Sequence, residues 1–79
     1  MALREEEMKV ILKDRLYPGK AVKIENHAIS KEGKFVFRSS RKGVVEGLYP
    51  HIFTVRIGKF LESFRYSQCF EKGYERVKL

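Results

Sequence analysis

Leu16-Tyr17-Pro18-Gly19-Lys20-Ala21-Val22-Lys23-Ile24-Glu25 is the stretch on which the reading of this chain turns. Upstream of it the apolar residues recur at helical spacing; downstream they alternate. Met8, Ile11, Leu12 and Leu16 fall at i, i+3, i+4 and i+8, one face of a helix. Glu5, Glu6 and Glu7 stand in its first turn, where carboxylates complement the positive end of the helix dipole, and Lys13 and Arg15 in its last. Pro18 disfavours a helical residue before it and Gly19 permits a sharp exit. The pattern predicts a helix over about residues 3–16. It is too short to be stable alone, so its stripe, Ile11 included, is expected to be buried against the rest of the molecule.

From Gly19 the period is two. Val22 and Ile24 alternate with Lys23 and Glu25; Phe35 and Phe37 share one side, and Lys34, Val36 and Arg38 the other. A separate strand opens at Val44-Val45 and runs to Leu48. Phe53, Val55 and Ile57 form one face, Phe64 and Tyr66 another, and Val77 with Leu79 the last. Turn residues stand between these runs: Lys31-Glu32-Gly33, Tyr49-Pro50-His51, Gly58-Lys59 and Glu71-Lys72-Gly73. Ser67–Gly73 reads as a brief helical turn before a final strand. Several short strands in so little chain lose their free edges by closing on themselves. The expectation is therefore a mainly β domain over residues 19–79, a small SH3-like five-stranded barrel preceded by one α-helix. An OB-type barrel, which usually needs a longer chain, is the runner-up.

The 79 residues make one domain, and so short a chain buries only about 60–65% of its unfolded surface, leaving little room for a deep catalytic cleft. The opening residues lack the charged-then-apolar pattern of a secretory signal, and no apolar run has the length of a membrane helix. A single cysteine excludes an internal disulfide. A cytoplasmic protein without a membrane partner is expected.

Cys69, His27 and His51 are far apart in sequence and match no nucleophile, base or zinc-ligand spacing, so no metal, cofactor or small-molecule substrate is expected and the protein reads as non-enzymatic. Gly43-Val44-Val45-Glu46-Gly47 lies in strand context, which rules out a phosphate loop; its glycines suit a bulge or a sharp bend. Glu46 is best explained by an ion pair with a neighbouring arginine. What remains is charge. The chain carries a formal +7, residues 1–16 are neutral in sum, and Lys20–Lys42 hold seven basic residues against Glu25 and Glu32. Clustering of this kind attracts polyanions. The expected binding surface combines a basic turn, Arg38-Ser39-Ser40-Arg41-Lys42, with Lys34, Arg56, Lys59 and Arg65, and with Tyr49 and Phe60 as aromatics able to stack on bases. Tyr66 is a further aromatic of this set that packing alone can explain. The partner is then nucleic acid or an acidic protein, and a homodimer is compatible with either.

Residues 18–24 (PGKAVKI), 41–55 (RKGVVEGLYPHIFTV), 62–67 (ESFRYS) and 77–79 (VKL) resemble the Veg family of small Gram-positive bacterial proteins along essentially the whole chain. Tyr49-Pro50 followed by Phe53 and Val55 is the most specific piece. The resemblance implies an SH3-like barrel and a non-enzymatic regulator connected with transcription and biofilm formation. It carries no established binding residues. The chain departs from the family in the long segment from Asn26 to Lys42, where relatives have a short basic loop. Gly19-Lys20, Val22 and Gly43-Val44 are more faintly similar to KOW-type barrels, which would make the chain an RNA- or single-stranded nucleic-acid-binding module. A protein–protein interaction domain, docking through a β edge or the helix face, is the third reading.

Overall fold

In the computed structural model the described residues are 3–70 and 73–79; Glu71 and Lys72 of the expected last turn lie outside them. One helix, α1 (Glu5–Leu12), precedes five strands, β1 (Ala21–Ile29), β2 (Phe35–Leu48), β3 (Ile52–Ile57), β4 (Phe60–Arg65) and β5 (Glu75–Lys78). A 3₁₀ turn, Tyr66–Cys69, joins β4 to β5. The strands form a single antiparallel sheet in the order β4-β3-β2-β1-β5. No ladder joins β4 to β5 among the described residues, so the sheet is curled but not closed.

The helix is shorter than its sequence pattern. Glu7 accepts from the Arg4 backbone N–H at 3.4 Å and from its Nε at 3.3 Å, which secures the start. At the other end Arg15 and Leu16 both donate to the Leu12 carbonyl, tightening the chain into a turn before Pro18. Gly19 then takes φ +95°, a conformation that L side chains rarely adopt, and its N–H reaches the Val45 carbonyl. Met8, Leu12 and Leu16 are buried, but Ile11 is 47% exposed. At about 100° per residue, Met8 and Leu16 each lie about 40° from Leu12, whereas Ile11 lies about 100° away. The docked stripe is therefore narrower than the apolar one, and the expected burial of Ile11 is corrected.

The core lies on the inner face of the sheet: Val22 and Ile24 of β1, Val45 of β2, Phe53 and Val55 of β3, Phe64 of β4 and Val77 of β5, capped by the helix stripe and by Tyr66. Tyr66 is buried as expected, but in the 3₁₀ turn, where its phenol donates to the Tyr49 carbonyl at 2.6 Å. Gly43 faces this core from β2. A Cβ there would stand 2.5 Å from Val55 Cγ1, so β2 and β3 pack as they do only with glycine at this point.

Two expected strands are one. Phe35 through Leu48 form a continuous 14-residue β2, because nothing between Phe37 and Val44 breaks an extended chain. The basic segment from Arg38 to Lys42 is consequently strand, not turn. It pairs with β1 through a register shift at Asn26/His27 that places the extra residue on β2.

Candidate anion-binding face

Antiparallel register decides which basic residues meet. Lys23 on β1 is the direct partner of Lys42 on β2 and of Lys78 on β5. Three lysines therefore form one row across three adjacent strands, on the face turned away from the core. Directly opposed side chains stand about 4.5–5.5 Å apart at Cβ, and like charges so placed destabilise a sheet. Lys78 Nζ approaches Glu25 at 3.9 Å; Lys23 and Lys42 make no ion pair among the described residues. The row borders an open cleft of about 790 Å³ lined also by Ala21, Val44, Arg56 and Gly58. Small residues leave its floor low, and cations stand around it. An oxyanion lying along the row would relieve the repulsion that the sheet imposes.

Of the nine site residues expected from the sequence, only Lys42 and Arg56 line this cleft. Arg56 is already engaged by the Glu46 carboxylate, at 2.9 and 3.1 Å, which is the expected pairing of Glu46 with an arginine. Lys59 sits in the β3–β4 turn and Phe60 beside it, 73% exposed. Arg65 stands opposite Ile52, at the far end of β4 from Leu61, the partner of Arg56. Lys34 is at the tip of the β1–β2 hairpin, and Arg38 lies in β2 next to the register shift. Tyr49 borders a separate groove beside α1, with Leu12, Leu16 and Pro50. The nine do not converge on one surface, because Arg38–Lys42 runs along a strand instead of folding back as a turn.

Arg41 is the clearest correction. Its side chain points to the inner face, where Nη1 donates to Glu62 of β4 at 2.6 Å and Nη2 to Glu75 of β5 at 3.3 Å. It thus ties together the two outermost strands and has no charge to spare for a ligand. Lys23 and Lys78, which sequence reasoning did not single out, take its place. Their signal lay in strand alternation, which put Lys23 opposite Val22 and Ile24, but pairing with Lys42 and Lys78 needs the register.

The groups that could do chemistry are otherwise occupied. Cys69 packs against the core, and burial pushes its thiol up to about 11, with the charge of Arg15 pulling weakly the other way. His27 meets Phe37 edge to face, and His51 Nδ1 lies 2.7 Å from the Glu5 carboxylate. Among the described residues no three His, Cys, Asp or Glu side chains gather as a metal site would require, and no helix is long and apolar enough to cross a membrane. Compared with models of known families, with curated proteins and with solved structures, the chain matches none.

Proposed function

We propose that this chain is a non-enzymatic regulatory protein that binds the phosphate backbone of nucleic acid through the outer face of β1, β2 and β5. The observation that carries the reading is the Lys42–Lys23–Lys78 row, which sets like charges side by side, with Glu25 the one carboxylate paired to any of the three among the described residues. Such a row costs stability in the free protein, and bound phosphates offset that cost. The strand order, with a 3₁₀ turn before the terminal β5, supports reading the curled sheet as an SH3-like barrel. That architecture and the Veg resemblance favour a cytoplasmic role in the control of transcription, and through it of biofilm formation.

Fluorescence anisotropy with labelled 20-nucleotide single strands and duplexes, across roughly 50–200 mM salt, tests the proposal. Lys23→Ala, Lys42→Ala and Lys78→Ala are each expected to weaken binding and to lower the salt slope by about one. Equal affinity and slope in the triple variant, with its fold intact, would falsify the assignment.

A further inference from the structure

The β1–β2 hairpin extends beyond the rest of the sheet. β3 pairs with β2 only from Val44 to Leu48, so from Phe35 to Lys42 the strand has a bonded neighbour on its β1 side alone among the described residues. Val45 accepts from Gly19 and donates to Lys20, both on the β1 side, so its main-chain groups point that way. Strand alternation then turns those of Ser40 and Lys42 toward the open side. Phe35 through Ser40 are exposed, with Val36 at 45% and Phe37 at 54%. Phe35 and Tyr74 meet edge to face beside Phe37, making an aromatic patch along this strand. An open edge combined with exposed apolar side chains is where extended chains add to a sheet.

We infer that the Phe35–Lys42 edge of β2 receives an extended acidic segment of a partner protein by β-strand addition. Charge selects this occupant. Lys34, Arg38 and Lys42 make no ion pair among the described residues, whereas Arg41 is held by Glu62 and Glu75. A second copy pairing along this edge would bring together two strands that each carry Lys34, Arg38 and Lys42 and no acidic residue between them, so self-association is opposed by its own side chains. The free edge of β4 has no such preference, because Glu62 and Arg65 are its only charges. The register shift at Arg38 leaves Lys42, Phe37 and Phe35 on one face of the strand. The segment that fits therefore runs antiparallel, with carboxylates at its start toward Lys42 and Arg38, apolar side chains further along the same face against Phe37 and Phe35, and a last carboxylate for Lys34. This surface is separate from the phosphate-binding reading, with Lys42 the one residue common to both.

The test titrates a blocked, fluorescein-labelled eight-residue peptide, Glu-Thr-Glu-Thr-Val-Thr-Val-Glu, into the full chain at roughly 50 mM salt. Saturable binding is expected. A peptide N-methylated at every residue, with no N–H left to donate from either edge, is expected not to bind. Ser40→Pro removes one open-side N–H while leaving the β1 ladder in place, and is expected to weaken binding about fivefold or more. Arg38→Glu is expected to weaken it about tenfold, whereas Lys23→Ala with Lys78→Ala should leave it within about twofold, since neither residue lies on this edge. Equal binding of the N-methylated peptide by the native chain overturns the proposal, whatever Ser40→Pro does to the fold. So does a protein dimer in sedimentation that the peptide does not dissociate. If single-stranded nucleic acid displaces the peptide from the double lysine variant, the edge belongs to nucleic acid and the proposal falls.

Discussion

Replacing Arg41 with alanine should loosen the whole sheet, although arginine in a basic run reads as a dispensable surface charge. The guanidinium joins Glu62 and Glu75 from the central strand, with all three side chains between 35% and 40% exposed. At that exposure solvent screens the pairs, so each is worth about 0.5–1 kcal/mol. Truncation also leaves Glu62 and Glu75 facing each other with no cation between them, and strips the arginine stem from the inner face. The sum is a loss of about 1–3 kcal/mol. For a domain of this size that lowers Tm by about 5–15 °C. The chain has no tryptophan, so urea unfolding is followed by tyrosine fluorescence and far-UV circular dichroism. Arg41→Lys should recover only part of the loss, because an ammonium cannot fork to two carboxylates in one plane. A double-mutant cycle with Glu62→Ala should show coupling of about 0.5 kcal/mol or more. Lys42→Ala, one residue along, should stay within about 0.5 kcal/mol. If Arg41→Ala also stays within that margin, the guanidinium is not fastening the outer strands and the reasoning is wrong.

Leu12→Ala is expected to cost about 2–4 kcal/mol, since Leu12 is buried between α1 and the sheet, while Ile11→Ala costs less than about 0.5 kcal/mol. Thermal melts of the two variants side by side decide it, and equal losses would return Ile11 to the docked face. Stability should also fall in alkali. The Cys69 thiol is raised from 9.0 to about 11 and the Tyr66 phenol is raised from 10.0, both chiefly by burial, so the unfolded chain sheds these protons first. The contribution is complete below pH 9 and is lost as pH climbs toward about 11. Urea midpoints from pH 8 to 11 should show that decline, and Cys69→Ala should flatten its lower part.

The elements of this fold were legible because their causes are local. Pro18-Gly19 marks the change from helical to strand spacing, alternation marks the strands, and Val22, Ile24, Phe53, Val55, Phe64 and Val77 fall on strand faces and are core. What depends on register was not legible. Two short strands could not be told from one long β2, since serine and arginine are acceptable both in turns and in exposed strands. That error carried into the site. Read as a turn, Arg38–Lys42 presents five neighbouring side chains to one ligand; as a strand it sends Arg41 inward and Lys42 outward. Lys23 and Lys78 are far apart in sequence, and only the pairing of β1 with β5 makes them neighbours. Ile11 failed for a smaller reason, namely that an apolar stripe is wider than the surface available to cover it.

The pairing of β1 with β5 also sets an order of events. The β2–β3 and β3–β4 turns close over a few residues, whereas Lys23 meets Lys78 across 55 residues of chain, a difference of about 2 kcal/mol in closure entropy. The β2–β3–β4 meander can therefore assemble early, and β5 docks late, after the 3₁₀ turn has brought the chain round. Ile24 waits for Val77 until then, and Arg41 waits for its second carboxylate. The lysine row is completed in the same step, so a molecule caught short of it has a nearly assembled sheet but no finished site. If the row binds phosphate as proposed, ligand draws such molecules forward, and readiness to bind becomes a measure of whether the protein has finished folding.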